Sequence, residues 1–137
     1  LENKTLQIGL QMILKELTDK SNIRVVYKDM VKKVPKRIED NLFRIAQEFI
    51  SNTLKHAKAS QIEVYLYQNS QEIQLKMLDN GVGFDLNAST DEMSYGLKNI
   101  QERVDEMAGT VQFLSAKGKG TSIDVRVPIL RGEDNVE

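Results

Sequence analysis

Residues 38–57 read IEDNLFRIAQEFISNTLKHA and carry the strongest helical pattern in the chain. Apolar side chains recur through this stretch at the spacing of one face of an α-helix. That face comprises Ile38, Leu42, Ile45, Phe49 and Thr53, and it is flanked by Ala46 and Ile50. We therefore expect one long amphipathic helix from Ile38 to about Ala57, with this face turned toward a protein core.

A polar stripe runs beside this apolar face. Glu48, Asn52 and Lys55 lie within roughly 60° of one another on a regular helix, about a quarter turn from the core face. The oxygens of a carboxylate and an amide suit a hydrated Mg²⁺, and an ammonium group suits a phosphate. The ordinary solvent-facing side of a helix would also contain such residues. The stripe alone therefore leaves both interpretations open.

The composition limits the classes of protein that this chain can be. Of its 137 residues, 40% are hydrophobic and 28% are charged, which excludes a disordered chain. With no cysteine and one histidine, a disulfide framework and a cysteine–histidine zinc cluster are excluded. The net charge of −1 gives no electrostatic reason to expect nucleic acid as a partner. No stretch is typical of a membrane-spanning helix or a signal peptide, so we expect a cytoplasmic domain.

Shorter patterns on both sides of the long helix predict the remaining elements. Apolar residues at helical spacing predict a helix at about 5–20 and a shorter one at about 97–108 that ends at Gly109. Strands are predicted at 23–27, 62–67, 73–78, 111–115 and 121–127. Residues 85–95 are polar and lack a period, which predicts a mobile loop. This order favours a two-layer α/β sandwich, in which helices cover one face of a mixed β-sheet.

Glycine-containing motifs lie at the ends of predicted strands and helices. They are Asp79-Asn80-Gly81-Val82-Gly83, Ser94-Tyr95-Gly96-Leu97 and Gly118-Lys119-Gly120-Thr121. Glycine allows a close backbone approach to a ligand, an aspartate can accept a hydrogen bond from an exocyclic amine such as that of adenine, and the N–H groups that begin a helix can bind phosphate. Each motif taken alone also fits an ordinary turn.

The order and spacing of these motifs resemble one family. An E-x-x-x-N-x-x-K-H helix, D-N-G-x-G after a strand, G-L at a helix start and G-x-G-T before a strand are similar to the GHKL (Bergerat-fold) ATP-binding domain. Within that family they resemble the catalytic domain of two-component sensor histidine kinases. Residues 42–48, 52–57 and 96–103 resemble the NarX/DesK/LiaS subgroup, and residues 34–40 and 94–99 are most like LiaS/VraS-type cell-envelope stress kinases. The resemblance covers about residues 21–130.

The resemblance implies that the motif residues bind ATP and Mg²⁺. Glu48 stands where the family places a residue that orients or deprotonates the acceptor histidine. Asn52 stands at the Mg²⁺ ligand, Lys55 at a phosphate contact, and His56 completes this helix motif. Asp79 corresponds to the residue that binds the adenine amine. The other nucleotide-binding positions are those of the three glycine boxes, namely Gly81, Gly83, Tyr95, Gly96, Leu97, Gly118, Gly120 and Thr121. Ser94 departs from the pattern, because many relatives have glycine there in the lid over the phosphates.

The resemblance also implies the organisation of the chain and its partners. Residues 1–20 are expected to end a preceding dimerisation region or linker helix, 21–130 to form the catalytic domain, and 131–137 to form a charged tail. The family's acceptor histidine lies on an upstream dimerisation helix, so His56 is not expected to accept the phosphoryl group. The expected partners are the protein's own dimerisation domain and a response regulator. The full-length protein is expected to be a homodimeric, membrane-anchored bacterial sensor kinase with this domain in the cytoplasm.

The implied function is that of a protein histidine kinase. The domain would donate the γ-phosphoryl of Mg·ATP to a histidine of the dimerisation domain, for relay to an aspartate of the response regulator. The alternative is a nucleotide-gated interaction module or an anti-sigma-type serine kinase of the same fold. The Glu48–Asn52 spacing and the Gly96-Leu97-Lys98-Asn99 stretch favour the histidine kinase.

Overall fold

Helices and strands follow one another in the order that the sequence predicts. A computed structural model describes residues 4–86 and 91–130. Helix α1 (Leu6–Lys20) is followed by β1 (Arg24–Met30), helix α2 (Lys36–Asn52) and a π-helical segment (Thr53–Ala57). The hairpin of β2 (Gln61–Gln68) and β3 (Glu72–Asp79) comes next, then helix α3 (Asp91–Glu106) and the hairpin of β4 (Thr110–Ser115) and β5 (Thr121–Pro128). No helix within these ranges is long and apolar enough to cross a membrane.

The strands form one mixed sheet of five strands in the order β1-β2-β3-β5-β4. β1 pairs parallel with β2, since α2 lies between them in the chain, and the other pairs are antiparallel. Alternate residues of the central strands, such as Val64, Leu75 and Val125, are buried against the helices. The predicted two-layer α/β sandwich is therefore confirmed, and the antiparallel pairs β2–β3 and β4–β5 are hairpins.

Helix α1 belongs to the same core as α2 and the sheet. Its inward face comprises the buried residues Leu6, Leu10, Leu14 and Leu17. Its first turn is capped by Thr5, whose hydroxyl accepts a hydrogen bond from the Ile8 N–H. The Leu6 N–H donates to Glu39 Oε2 of α2 at 2.7 Å. The assignment of residues 1–20 to a preceding region stays a prediction, while residues 6–20 pack as an integral helix of this domain.

The long helix predicted to reach Ala57 changes character before its end. Regular α-helix stops at Asn52, and residues Thr53–Ala57 continue as a π-helical segment, which is wider than an α-helix. Lys58 ends this segment in the left-handed region, with φ of 51°. The segment is only five residues long, little more than one turn, so apolar periodicity does not distinguish it from regular α-helix.

The boundary predicted between a loop at 85–95 and a helix at 97–108 is wrong. Helix α3 begins at Asp91, so residues 91–95 are helical, and residues 87–90 of the predicted loop lie outside the described residues. The helix is anchored by buried Ile100 and Val104, and buried Met107 follows directly after its end. Once such a nucleus exists, adding polar residues at its N-terminal side costs little, because each one gains a backbone hydrogen bond. The absence of an apolar period therefore did not mean a loop.

The C-terminus of α3 also differs from the prediction by one residue. Ala108, and not Gly109, adopts the left-handed conformation, with φ of 57°. The Gly109 N–H donates to the Val104 carbonyl and the Ala108 N–H to the Asp105 carbonyl, which is the Schellman pattern of helix ends. Glycine is required at 109 for another reason: a Cβ there would lie 2.6 Å from the Arg126 carbonyl oxygen of β5.

Candidate nucleotide-binding site

An apolar cavity lies between α2, α3 and the ends of β3 and β5. Its apolar wall is formed by Phe49, Phe84, Leu97, Ile100 and Ile123. The polar residues that line it are Asn52, Thr53, His56, Asp79 and Thr121. The cavity is narrow, with a volume of about 70 Å³. A flat ring with few polar edges is the kind of ligand that such a wall accepts, and the polar side chains give it a fixed orientation.

Asp79 is the most tightly held polar residue of this cavity. It ends β3 and is 8% exposed. Its Oδ1 accepts hydrogen bonds from the Gly81 N–H at 2.9 Å and the Thr121 N–H at 3.2 Å. Its Oδ2 accepts from the Thr53 hydroxyl at 3.0 Å. A carboxylate held by three donors is fixed in orientation and presents only acceptor capacity to a ligand.

The glycine boxes of residues 79–83 and 118–121 contact each other through their backbones. Gly83 and Gly120 both have positive φ, of 64° and 73°. A Cβ on Gly83 would lie well under 3.0 Å from the Ala116 carbonyl oxygen, and one on Gly120 equally close to the carbonyl oxygen of Asp79. The Gly118 N–H donates to the Val82 carbonyl at 2.6 Å. These glycines are therefore needed so that two loops can meet around Asp79.

Ser115 joins the same two loops, although it belongs to none of the predicted motifs. Its Oγ accepts a hydrogen bond from the Phe84 N–H at 2.9 Å and lies 3.1 Å from the Gly120 carbonyl oxygen, to which it donates. It also lies 2.9 Å from the Thr121 hydroxyl. Because Phe84 lines the cavity, Ser115 sets the position of one of its walls. Its place just before the third glycine motif was the available signal.

A polar groove opens beside the apolar cavity, between α2 and α3. It has a volume of about 710 Å³ and is lined from α2 and the π-helical segment by Arg44, Gln47, Glu48, Ser51, Asn52 and Lys55. From α3 it is lined by Tyr95, Asn99, Glu102, Arg103 and Glu106. The structure thus brings together the predicted stripe of Glu48, Asn52 and Lys55, although Lys55 lies beyond the regular part of α2. Tyr95 joins them from α3.

The second glycine motif occupies a different position from the predicted one. Gly96 and Leu97 lie inside α3, several residues after its start at Asp91, so their N–H groups are not the free donors of a helix N-terminus. Gly96 instead packs against α2, because a Cβ there would lie 3.0 Å from Asn52 Nδ2 and 3.0 Å from Glu48 Oε2. Leu97 faces the apolar cavity. The expectation that this motif begins the helix is therefore wrong.

His56 and Gly118 complete the set of predicted residues. His56 lies in the π-helical segment and lines the apolar cavity, and it is not among the residues that line the polar groove. Gly118 lies at the tip of the β4–β5 hairpin with open space where a Cβ would point. Among the described residues, no three His, Cys, Asp or Glu side chains cluster to hold a metal ion.

The sequence of this chain matches a known family model and known sensor kinases. Residues 37–131 match the family model described as histidine kinase-, DNA gyrase B-, and HSP90-like ATPase. Over 135 residues the chain is 40% identical to the sensor protein VraS of Staphylococcus haemolyticus, covering 98% of this chain and 38% of that protein. It is 40% identical over 133 residues to the sensor histidine kinase LiaS of Bacillus subtilis, covering 97% of this chain and 37% of that protein.

The fold is also that of solved histidine kinases. The histidine kinase domain of the Erythrobacter litoralis EL346 blue-light activated kinase matches with a TM-score of 0.70 at 18% identity, over 90% of this chain and 61% of that chain. The mycobacterial sensor histidine kinase MprB matches with a TM-score of 0.66 at 17% identity, over 91% and 95%. The chain spans less than two fifths of the curated relatives above. An ATPase domain binds ATP, and this chain belongs to the histidine kinase-, DNA gyrase B- and HSP90-like ATPase family.

Proposed function

We propose that this domain supplies the γ-phosphoryl group of Mg·ATP to a histidine on the dimerisation domain of a sensor histidine kinase, for relay to a response-regulator aspartate. The observation that carries the proposal is the two-part site, in which Asn52 lines both the apolar cavity and the polar groove. A nucleotide whose base occupies the cavity would extend its phosphates past Asn52 into the groove. The similarity to the sensor kinases VraS and LiaS supports this function over a serine kinase or an interaction module.

The donor set of the groove fits Mg²⁺. Asn52 and Glu48 side chains both reach within 3.0 Å of the Cβ position at Gly96, so an amide and a carboxylate lie close together. Mg²⁺ is usually held by one or two protein oxygens, with waters and substrate phosphates completing the octahedron. A Mg²⁺ site is therefore compatible with the described residues, in which no three His, Cys, Asp or Glu side chains cluster. The ion would neutralise charge on the phosphates, with Asn52 as its ligand.

The roles of the other residues follow from where they lie. Lys55 is placed along the polar groove to meet phosphate oxygens. Glu48 lies at the same groove, where it can accept the proton of the acceptor imidazole while the imidazole nitrogen bonds to the γ-phosphorus. The bond from this phosphorus to the β,γ-bridging oxygen breaks, and ADP leaves. Catalysis is then mainly positioning and charge neutralisation.

The partners in this proposal lie outside the chain. We propose that the acceptor is the protein's own dimerisation domain, that the complete protein is a homodimer anchored in a bacterial membrane, and that this domain is on its cytoplasmic side. The relatives' names as sensor proteins support the signalling role. Cell-envelope stress is the signal class suggested by the similarity to LiaS and VraS.

The test compares Asn52→Ala with Ser51→Ala, since both residues line the groove. We expect Asn52→Ala to weaken Mg·ATP binding on the order of 10- to 100-fold in calorimetry, while Ser51→Ala binds as the parent does. The parent chain should not label itself with [γ-³²P]ATP, and should place an acid-labile label on an added dimerisation domain. Equal binding by both variants would contradict the metal assignment, and an acid-stable label would favour the serine kinase.

A further inference from the structure

Thr53 makes an unusual hydrogen bond for a helical threonine. It is 2% exposed, and with Asp79 it is one of the two buried polar or charged side chains among the described residues. A threonine in a helix commonly donates to a carbonyl of the preceding turn. The Thr53 hydroxyl instead donates at 3.0 Å to Oδ2 of Asp79, 26 residues away on β3. The bond therefore joins the start of the π-helical segment to the cavity's carboxylate.

The acceptor capacity of Asp79 is almost used up by the protein itself. A carboxylate offers about four acceptor positions, two on each oxygen. Oδ1 accepts from the N–H groups of Gly81 and Thr121, and Oδ2 accepts from Thr53. One position remains, and it belongs to Oδ2, the oxygen that Thr53 holds.

We propose that Thr53 is a positioning residue that orients Oδ2 of Asp79 to accept a hydrogen bond from the exocyclic amine of adenine. The inference rests on the proposed function, because it requires an adenine nucleotide in the apolar cavity. Both residues line that cavity, so the remaining acceptor position is accessible to a ring bound there. A 6-oxo purine would instead present an acceptor to this acceptor and be rejected.

Replacing the hydroxyl by a methyl group isolates this effect. In Thr53→Val the shape of the side chain is kept, but Oδ2 loses its buried donor and has two acceptor positions to satisfy. Asp79 is then held only through Oδ1 and can rotate about its last side-chain bond. Binding of the adenine amine should weaken, whereas contacts that ignore the amine should not change.

The experiment measures Mg²⁺-dependent binding of two nucleotides by calorimetry. ATP carries the 6-amino group, and purine riboside 5′-triphosphate is the same molecule without it. We expect Thr53→Val to bind ATP about tenfold more weakly than the parent, and Thr53→Ser, which keeps the hydroxyl, to stay within about twofold. Purine riboside 5′-triphosphate should bind the parent and Thr53→Val equally. Circular dichroism and the unfolding temperature establish that each variant is folded.

Several outcomes would overturn the inference. Unchanged ATP binding by Thr53→Val would do so, and so would an equal loss for both nucleotides, because that is the signature of a purely structural role. If Thr53→Val does not fold, Thr53→Ala provides the same comparison. Asp79→Asn separates this inference from the proposed function. Should Asp79→Asn bind ATP as the parent does, the adenine site itself is refuted. Weak ATP binding by Asp79→Asn beside normal binding by Thr53→Val refutes the role of Thr53 alone.

Discussion

The pair Gly120→Ala and Gly118→Ala tests whether the glycines near Asp79 are required by conformation or by backbone contact. Both residues lie in the β4–β5 hairpin with positive φ, of 73° at Gly120 and 78° at Gly118. They differ in surroundings, since a Cβ at 118 meets open space, whereas a Cβ at 120 would lie well under 3.0 Å from the Asp79 carbonyl oxygen. Gly118→Ala therefore measures backbone strain alone, and Gly120→Ala adds a steric contact to that strain.

The expected magnitudes follow from these two contributions. An alanine in the left-handed region costs about 1–2 kcal/mol, which is partly offset by about 0.5–1 kcal/mol because the unfolded chain loses glycine's freedom. Gly118→Ala should therefore lower the free energy of unfolding by about 0–1.5 kcal/mol. Forcing a methyl group into packed backbone adds about 1–3 kcal/mol. Gly120→Ala should therefore lower the free energy of unfolding by about 1–4.5 kcal/mol and displace Asp79.

Urea unfolding followed by circular dichroism measures both losses, with an unchanged m-value as the sign that the same native state is being compared. Folded Gly120→Ala should also bind Mg·ATP more weakly than the parent, because the Thr121 N–H moves away from Asp79. Equal destabilisation by the two substitutions would refute the reasoning, since strain alone would then explain both glycines.

Further predictions concern the helices. Leu10→Ala should lower the free energy of unfolding by about 2–5 kcal/mol because Leu10 is fully buried. Met12→Ala, at a position 53% exposed, should change it by about 0.5 kcal/mol or less. Two separate transitions in urea unfolding would contradict the placement of α1 in one cooperative core. Ala108→Gly should raise the stability by about 0.5–1 kcal/mol by relieving its positive φ, and a lower unfolding temperature would disprove this. Gly96→Ala should leave the stability nearly unchanged, because about 1 kcal/mol of gained helix propensity opposes the crowding of Asn52. The same substitution should weaken Mg·ATP binding in calorimetry. Undiminished binding would show that the Asn52 side chain can move aside without losing its function.

The sequence predicted most of the fold because most of it is periodic. Buried and exposed residues alternate along β2 and β3, and α2 has one apolar face, so each pattern depends only on residues close in the sequence. These elements lie where the sequence predicts them. The π-helical segment after Asn52 and the early start of α3 at Asp91 were missed, since neither leaves a mark on apolar spacing. Periodicity therefore locates helices and strands better than it locates their ends.

The candidate site was predicted through its motifs, and its supporting residues were not. The sequence pattern places Thr53 on the apolar face of the long predicted helix, although its hydroxyl donates a hydrogen bond to Asp79, 26 residues away. Ser115 lies in an ordinary strand pattern. Its supporting role comes from the hydrogen bonds of its hydroxyl with the Phe84 N–H and the Gly120 carbonyl. Partners so distant in the sequence are set by the tertiary fold, which a single sequence pattern does not encode.

The wall of the apolar cavity is drawn from widely separated parts of the chain, with Phe49 on α2, Phe84 after β3, Ile100 on α3 and Ile123 on β5. In the proposed mode of binding, no partly folded form that lacks one of these segments can hold the nucleotide base. Ligand binding is consequently linked to global unfolding, and saturating nucleotide at about 100 times its dissociation constant should stabilise the entire domain by about 2.7 kcal/mol. Cellular ATP would in this way act as a folding ligand, and it would slow proteolysis at segments as far from the cavity as α1.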